Sequence, residues 1–249
     1  MNTAKPKQVY FFGTCLVDLF YPEAGLAGIR LIQREGVDVI FPQGQSCCGQ
    51  PAWNSGYRDE ARDVAAAQLA LFTKEIPVVV PSASCAGMMK EHYPALFRDT
   101  PLETIAVDLS KRIVELTAFL VDVLDIRIED LGAPQKVAIH NSCSALREMQ
   151  VGDKIESLVS NLSRIEKVEQ AYKRECCGFG GTFSIKQPEI SGAMVADKTA
   201  TIRESGADIL VSQDCGCLMN IAGAFEKQGD GPRCMHIAEF LWERTHADD

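Results

Sequence analysis

Ser46-Cys47-Cys48-Gly49-Gln50-Pro51 and Glu175-Cys176-Cys177-Gly178-Phe179-Gly180-Gly181 are two versions of one phrase, an adjacent cysteine pair followed by glycine. A lone cysteine precedes each pair at nearly the same distance, and another follows each pair. These outer cysteines are Cys15 and Cys85 around the first pair, and Cys143 and Cys217 around the second. One cysteine-bearing unit is therefore written twice, which predicts an internal duplication.

Each cysteine element of the first unit follows an apolar run that is typical of a buried strand. The run from Val9 to Phe12 leads to Cys15, the run 37–41 leads to the Cys47-Cys48 loop, and the run 76–80 leads to Cys85. Helical patterns over about 22–34 and 58–74 separate these runs. Strands alternating with helices predict a parallel sheet, and parallel sheets place their sites beyond the carboxyl ends of the strands. The three cysteine elements should therefore meet at one sheet edge.

The second half repeats the first element by element. A strand over 137–139 leads towards Cys143, and the pattern continues with a helix over 150–160, a strand over 165–168, a helix over 189–204 and a strand over 209–211. The stretch 125–135 is the linker candidate because it is polar and contains Gly132 and Pro134. We predict an α/β fold of two similar lobes, 1–130 and 131–249, each with a small parallel sheet flanked by helices. After the third cysteine of the first lobe we expect a helix from about Ser110 to Leu124.

Composition narrows the class of protein. A net charge of −9 over 249 residues, without a dense Lys/Arg run, argues against nucleic acid as a partner. No apolar run reaches the roughly 18 to 20 residues that cross a bilayer, and the stretch 1–8 is short and polar. The sequence thus predicts a cytoplasmic protein with no transmembrane segment.

The ten cysteines are placed too regularly for chance burial. In a reducing compartment, such clusters more often hold metal than form structural disulfides. Iron–sulfur clusters are held by several thiolates, and the glycines after each pair give the loop the freedom to present neighbouring thiolates. Four thiolates can also bind zinc, although zinc sites usually use short Cys-x-x-Cys knuckles. Iron–sulfur is the favoured interpretation and zinc stays open, while Cys234 has no partner in the first half and is interpreted as a buried structural cysteine.

The paired motifs at these spacings resemble the cysteine-rich CCG domain family, which includes a component of heterodisulfide reductase and iron–sulfur subunits of glycolate and glycerol-3-phosphate dehydrogenases. The phrases at 47–56, 176–184, 217–221 and 235–239 are most similar to the lactate utilization protein A (LutA, or LldE) group. The resemblance covers nearly the whole chain. It implies an oxidoreductase component, a subunit of an iron–sulfur L-lactate dehydrogenase system that oxidises lactate to pyruvate with LutB-like and LutC-like partners.

The resemblance also implies the ligand set, with departures. In the heterodisulfide reductase form each motif ends in Cys-x-x-Cys and five cysteines hold a noncubane cluster. Here Met88 stands at the last position of the first motif, and the second reads Asp214-Cys215-Gly216-Cys217, in which Asp214 takes the penultimate position, Cys217 the last, and Cys215 is a substitute or a bystander. We therefore expect an ordinary [4Fe-4S] cluster, with zinc as the alternative in one lobe. The expected ligands are Cys15, Cys47, Cys48, Cys85, Cys143, Cys176, Cys177 and Cys217.

His140, three residues before Cys143, is the only candidate catalytic residue. It can donate a hydrogen bond to a cluster or relay a proton, and a structural histidine is as good an interpretation. A Cys-His nucleophile pair is disfavoured because the first unit has Phe12 at the position of His140. Arg147 and Arg174 are candidates for pairing with a cluster or a substrate carboxylate, although surface arginines are the simpler interpretation.

Two further functional hypotheses stay open. One is a heterodisulfide-reductase-like subunit that acts on a thiol or disulfide. The other is a zinc-bound structural module that docks redox subunits without transferring electrons.

Overall fold

The structure is a computed structural model that describes residues 5–246. The first lobe contains a four-stranded sheet in the order β2-β1-β3-β4, in which every strand pair is parallel. Its strands are β1 (Gln8–Phe11), β2 (Asp38–Ile40), β3 (Val78–Val80) and β4 (Ile113–Glu115). Its helices are α1 (Cys15–Phe20), α2 (Pro22–Arg34), α3 (Gln50–Asn54), α4 (Arg58–Leu69), α5 (Ala83–Gly87), α6 (Tyr93–Leu96), α7 (Glu103–Arg112) and α8 (Leu116–Ala118), with single π-helical turns at Met88–His92 and Phe119–Val123.

The second lobe repeats this plan with a parallel sheet in the order β6-β5-β7-β8. Its strands are β5 (Gln135–His140), β6 (Ile165–Lys167), β7 (Ile209–Ser212) and β8 (Arg233–His236). Its helices are α9 (Cys143–Arg147), α10 (Gly152–Ser160), α11 (Phe183–Lys186), α12 (Pro188–Glu204), α13 (Cys215–Gln228) and α14 (Ile237–Glu243). The predicted fold class of two similar α/β lobes with parallel sheets is confirmed. The boundary between 130 and 131 stays a prediction.

The strand order explains why the cysteine loops meet. In each sheet the chain first crosses to one side and then returns past the first strand to the other side, so β1 and β3 are neighbours, as are β5 and β7. The crevice beyond the carboxyl ends of two such strands is the usual site position in open parallel sheets. Cys15 follows β1 and Cys85 follows β3, while Cys143 and Cys217 follow β5 and β7. The topology thus brings the outer cysteines of each lobe to one crevice.

The fourth strand of each sheet departs from the predicted helix. The sequence predicts one helix from about Ser110 to Leu124, whereas α7 ends at Arg112 and the chain becomes extended over β4 before it turns helical again. A short apolar run fits a buried strand as well as a helix, and pairing with β3 decides between them. The stretch Met235–Leu241 divides in the same way into β8 and α14.

The helix that follows each fourth strand packs on the other lobe. In the second lobe, α14 lies against α2 of the first lobe, and the first-lobe stretch 116–123 lies against α10. One continuous apolar core results, to which Phe11 and Leu31 of the first lobe and Ile155 and Phe240 of the second contribute. The exchange of helices makes the two lobes parts of one packed body. Within residues 5–246, no helix is both long enough and apolar enough to cross a membrane.

Candidate metal centres

The first cysteine of each site opens a helix directly after a strand. In the first lobe, the Thr14 hydroxyl accepts a hydrogen bond from the Val17 amide and Cys15 is the first residue of α1. In the second lobe, the Ser142 hydroxyl accepts from the Ala145 amide and Cys143 is the first residue of α9. Hydroxyl N-caps of this kind satisfy helix amides that have no backbone partner. They fix both cysteines at the same place in the fold.

The cysteine pairs lie in loops whose shape depends on glycine. Gly49 and Gly178 have φ angles of 88° and 84°, in the left-handed region that glycine adopts without strain. A β-carbon at Gly49 would lie 3.1 Å from the Ala61 carbonyl oxygen, and one at Gly178 would lie 2.8 Å from that of Ser191. Both glycines therefore allow the loop to pass close to the backbone of the following helix.

The same glycines donate hydrogen bonds to sulfur. The amide of Gly49 lies 3.4 Å from Cys47 Sγ, and the amide of Gly178 lies 3.4 Å from Cys176 Sγ. Amides directed at sulfur stabilise negative charge on a thiolate and on a bound cluster. The first cysteine of each pair is thus prepared as the thiolate of its site.

The third element of each site is the first turn of a helix. Cys85 is the third residue of α5 and Cys217 the third residue of α13, while Ser82 and Asp214 are the N-cap residues. The Asp214 carboxylate accepts from the amides of Gly216 and Cys217. The alignment that placed Cys217 at the last position of the motif and Asp214 at the penultimate one is therefore corrected. Cys217 is the structural counterpart of Cys85, and Asp214 is the helix cap that corresponds to Ser82.

In the first lobe the four thiols come together. The Cys47 thiol interacts with those of Cys15 and Cys48, and the Cys48 thiol interacts with that of Cys85. Hydrogen bonding from Cys15 and Cys48, helped by the Gly49 amide, lowers the pKa of Cys47 to about 3. The contact with Cys47 and burial raise the pKa of Cys15. These contacts favour a thiolate at Cys47 beside protonated thiols at Cys15 and Cys48, whose pKa values are raised.

The second lobe brings its four thiols together in the same order. The Cys176 thiol interacts with those of Cys143 and Cys177, and the Cys177 thiol interacts with that of Cys217. The first two contacts lower the pKa of Cys176 to about 2, and contact with Cys176 raises the pKa of Cys143. The structure therefore gathers all eight predicted cysteines into two groups of four.

His140 lies at the second group. One of its ring nitrogens and the Sγ atoms of Cys177 and Cys217 lie within 4.8 Å of one another, and all three residues are buried. Burial lowers the pKa of His140 to about 3, so the imidazole is neutral and able to bind a metal. Neither ring nitrogen has a hydrogen-bond partner among the described residues. A buried polar atom without a partner costs about 1–3 kcal/mol.

Cys215 and Cys234 stand apart from the two groups. Cys215 is fully buried at the start of α13, where burial and then the charges of Asp214 and Cys85 raise its pKa. Cys234 lies on β8, with its Sγ 3.6 Å from the Pro232 carbonyl oxygen, and burial raises its pKa to about 12. Both are held as neutral thiols. Cys234 is only partly buried, and its structural role stays a prediction.

The two groups lie on the same side of the molecule and are connected across the lobe boundary. Asp214 Oδ2 accepts a hydrogen bond of 2.8 Å from the Ser84 amide of α5, so this carboxylate caps one helix in each lobe. The loops after the two cysteine pairs also meet, because the hydroxyls of Ser55 and Thr182 lie 2.6 Å apart. The two groups of thiols therefore lie on one common face.

Two residues that the sequence interpretation missed hold the cysteine pairs in place. The Tyr93 hydroxyl donates to the Cys48 carbonyl oxygen at 3.0 Å, and Asn220 Nδ2 donates to that of Cys177 at 2.7 Å. Asn220 lies within the phrase 217–221, which is the signal that could have found it. No comparable sequence signal marks Tyr93. The carbonyl oxygen of the second cysteine of each pair thus accepts a hydrogen bond in both lobes, from a different side chain in each.

The two candidate arginines differ in their setting. The contact with Cys176 and burial raise the pKa of Cys143, and the positive charge of Arg147 offsets only part of this rise. Arg174 lines an open cavity of about 520 Å³ together with Lys173 and Asn141. In the first lobe, a cavity of about 400 Å³ is lined by Cys15 and Cys47 themselves.

The donor set suits a metal centre. Thiolates and imidazole are the ligands of zinc and of iron–sulfur clusters, and all ten cysteines are free thiols. Four converging thiols, glycine amides directed at two of them and an unpaired buried imidazole fit such a group. This donor set therefore suggests metal binding.

Comparison with known proteins agrees with this geometry. Residues 9–90 and 137–222 match the family described as "Cysteine-rich domain". "Lactate utilization protein A" of Geobacillus sp. (strain WCH70) is 45% identical over 240 residues, covering 95% of this chain and 100% of that protein. The protein of the same name from Bacillus subtilis (strain 168) is 42% identical over 240 residues, with the same coverage.

A solved structure shows the same fold at low sequence similarity. A hypothetical protein from Helicobacter pylori aligns with a TM-score of 0.61 at 12% identity, over 100% of this chain and 51% of that one. This chain therefore spans about half the length of that protein. The two matched repeats and the curated relatives show the family. The chain belongs to the cysteine-rich (CCG) domain family and, within it, to the lactate utilization protein A group.

Proposed function

We propose that this chain is the iron–sulfur subunit of an L-lactate-oxidising system, and that its two thiol groups hold the centres through which electrons pass. The observation that supports this proposal is the convergence of four thiols in each lobe of a chain whose relatives are named for lactate utilization. Oxidation of lactate to pyruvate releases two electrons and two protons. Iron–sulfur centres accept and pass on single electrons, which is the chemistry they would supply here.

The chain's own residues hold and tune these centres. In the first lobe the ligands would be Cys15, Cys47, Cys48 and Cys85, and in the second Cys143, Cys176, Cys177 and Cys217. The Gly49 and Gly178 amides would donate to ligand sulfur and favour the more reduced, more negative state. Phe179 covers the first turn of α13, because a β-carbon at Gly216 would meet its ring at 2.6 Å. This ring would limit the access of water to the second site.

Partners are part of the proposal. An electron-transfer subunit needs a donor and an acceptor, and we infer a LutB-like and a LutC-like subunit from the names and full-length coverage of the relatives. The common face that carries both groups is the natural contact surface for them. We also infer a cytoplasmic location, because ten free thiols are typical of a reducing compartment.

A zinc-bound docking module is the second candidate. The nitrogen and sulfur atoms within 4.8 Å of one another in the second lobe favour it, since ligand atoms around one tetrahedral zinc ion are about 3.8 Å apart. Such a site would order the face of the protein without transferring electrons. A subunit that reduces a disulfide substrate is the third possibility.

Metal analysis separates these candidates. The protein purified under anaerobic conditions should be brown, contain iron and acid-labile sulfide in equal amounts at about four irons per centre, and give an EPR signal on reduction. Stoichiometric zinc without iron would overturn the proposal. Lactate-dependent dye reduction on addition of the LutB-like and LutC-like subunits should follow, whereas reduction of a disulfide without any response to lactate would favour the third possibility.

A further inference from the structure

His140 is a buried histidine for which the described part of the protein provides no partner. It is 1% exposed at the end of β5, and both Nδ1 and Nε2 lack a hydrogen bond. Structural histidines are buried because a donor or acceptor satisfies them, as the His236 ring is by the Pro81 carbonyl oxygen at 2.7 Å. His140 has the burial of a structural residue without its hydrogen bonds, which leaves its nitrogens available to a group that is not protein, such as a metal ion or a water molecule.

The position of the ring identifies that group. A nitrogen of His140 lies within 4.8 Å of the sulfur atoms of Cys177 and Cys217. Both cysteines are at least nine-tenths buried. The three donors come from a strand, a loop and a helix that converge, and they combine imidazole with thiolates as metal sites do. A metal bound by the two thiolates would lie within reach of the imidazole.

The second nitrogen has a nearby polar group that is also unpaired. Ser212 on β7 is the register partner of His140 on β5, so the two side chains project from the same face of the sheet. The Ser212 hydroxyl is buried and has no hydrogen bond in the described chain. Metal-binding histidines usually use their other ring nitrogen to bond such a group, which fixes the orientation of the ring.

The first lobe lacks this arrangement. Phe12 follows β1 where His140 ends β5, and its ring packs edge-on against Phe72 at a centroid distance of 5.9 Å. Val80 stands in β3 where Ser212 stands in β7. At this position the first site is therefore lined by the apolar side chains of Phe12 and Val80, whereas the second site has an imidazole nitrogen and a hydroxyl.

We propose that His140 is a nitrogen ligand of the metal centre in the second lobe, beside Cys177 and Cys217, with Ser212 as its positioning residue. The two lobes then hold chemically distinct centres, an all-thiolate one in the first and a mixed one in the second. His140 would then take the place of one of the four thiolates assigned to the second site. A neutral imidazole in place of an anionic thiolate raises the reduction potential of an iron–sulfur centre. The second centre is thus the stronger electron acceptor, a conclusion that rests on the proposed function, whereas the ligand assignment itself does not.

Pulsed EPR on the reduced protein tests the ligand directly. The Cys48→Ser variant removes the first site's centre, so the remaining signal belongs to the second. Reconstituted with ferrous iron and sulfide, this background should show a strong coupling to a directly bound nitrogen. His140→Phe, which installs the first lobe's residue, should remove the coupling. Ser212→Ala should keep the coupling but change its orientation dependence.

Two controls distinguish a failure of the ligand assignment from a failure of the proposed function. His140→Cys supplies a thiolate in place of the imidazole, so it should retain metal, lose the nitrogen coupling and lower the midpoint potential of the second centre, which keeps the test valid even if His140→Phe folds poorly. Iron without a strong nitrogen coupling would overturn the ligand assignment and leave the proposed function standing. If the site takes only zinc, cobalt substitution and X-ray absorption should still find one nitrogen scatterer that His140→Phe removes. In that case the proposed function fails and the assignment holds, whereas a protein that binds no metal overturns both.

Discussion

The two lobes share a framework and differ in the side chains that line it. Both sites place a cysteine on the first turn of a helix, a pair on a glycine-dependent loop and a further cysteine in the third position of another helix. The surrounding groups differ, since the first lobe has Phe12 where the second has His140. The duplicated backbone determines where the sulfur atoms lie, and the side chains around them determine what each site does. Substitutions at matched positions of the two lobes test that division.

The largest expected effect is the loss of bound metal when one cysteine of a Cys-Cys pair is replaced in one lobe at a time. Cys48→Ser and Cys177→Ser each take the more buried thiol of a pair. Because the thiols form two separate groups of four, each variant should lose about half of the bound metal and leave the other centre intact. Metal analysis and absorbance spectra of both variants give the answer.

Cys234→Ser is the matched control for these variants. Its thiol lies outside both groups and contacts only the Pro232 carbonyl oxygen among the hydrogen bonds described, so the metal content should not change. If Cys48→Ser and Cys177→Ser both keep all of the metal, the assignment of the ligands is wrong. A loss confined to one of them would mean that only one lobe carries a centre.

The next largest effect should be a loss of stability when the buried ion pair between the lobes is broken. Arg244 beyond α14 and Asp130 in the linker are 3% and 8% exposed, and Arg244 Nε donates to Asp130 Oδ1 at 2.6 Å. The guanidinium also donates to the carbonyl oxygens of Gly132 and Ala133. Arg244→Met would leave the Asp130 charge buried and unpaired, and should lower the free energy of unfolding by about 3–5 kcal/mol. Urea titration followed by circular dichroism measures this loss.

A surface ion pair of the same lobe provides the comparison. Arg233 Nη2 lies 2.7 Å from Glu243, with side chains 57% and 43% exposed. Arg233→Met should cost at most about 1 kcal/mol, since solvent screens exposed pairs. Because the exchanged helices share one core, Arg244→Met should still unfold in a single transition. Two separate transitions would contradict the shared core.

The caps after the fourth strands predict opposite responses to pH. Glu115 caps the stretch after β4, where its Oε2 accepts from the Thr117 amide at 2.7 Å, and His236 Nδ1 accepts from the Ala238 amide after β8. Burial raises the pKa of Glu115 to about 7 and lowers that of His236 to about 4. Since the folded state favours neutral Glu115, stability falls as pH rises from 4.5 to 7. Since it also favours neutral His236, stability falls as pH drops from 6.5 to 4.

Each of these losses is on the order of 3 kcal/mol over its pH window. The two effects oppose each other between about pH 4.5 and 6.5. Glu115→Gln keeps an acceptor for the amides and should leave stability rising with pH over this range, through His236. His236→Gln should leave stability falling as pH rises, through Glu115. Urea titrations at each pH compare the variants with the wild type. A curve for Glu115→Gln that runs parallel to the wild type across pH 5–7 would show that Glu115 is ionised in the folded protein.

The sequence predicted the parts of this fold that depend on local order. Apolar runs ending in cysteine loops indicated β1, β3, β5 and β7, and the behaviour of parallel sheets implied that the loops would converge. The strands β4 and β8 escaped because three or four residues carry no period of their own. Their pairing and the exchange of the following helices depend on contacts between distant parts of the chain.

For the candidate metal centres, too, the local sequence pattern was predicted and the contacts between distant residues were not. The cysteines were visible as a repeat, whereas the cap role of Asp214 was not predicted, because the alignment of the motifs placed this residue at a cysteine position. Only the folded structure shows that its carboxylate accepts from amides of both lobes. The Tyr93 hydroxyl escaped for a similar reason, since it reaches the Cys48 carbonyl oxygen from a helix far along the chain. Side chains that support a site from positions far away in the sequence produce no recognisable spacing pattern.

The smallest effects should come from the glycines of the two pairs, and they should differ between the lobes. Alanine at a left-handed position costs about 1–2 kcal/mol, so Gly49→Ala should lose about that much stability. Gly178→Ala should lose more, because its β-carbon would lie 2.8 Å from a backbone oxygen rather than 3.1 Å. Urea titration of the metal-free proteins measures both. Gly206→Ala, at a φ of 67° with open space around it, isolates the backbone cost. If Gly178→Ala costs no more than Gly206→Ala, the second loop can relax away from α12, and the close fit of the cysteine loop is not a requirement of that lobe.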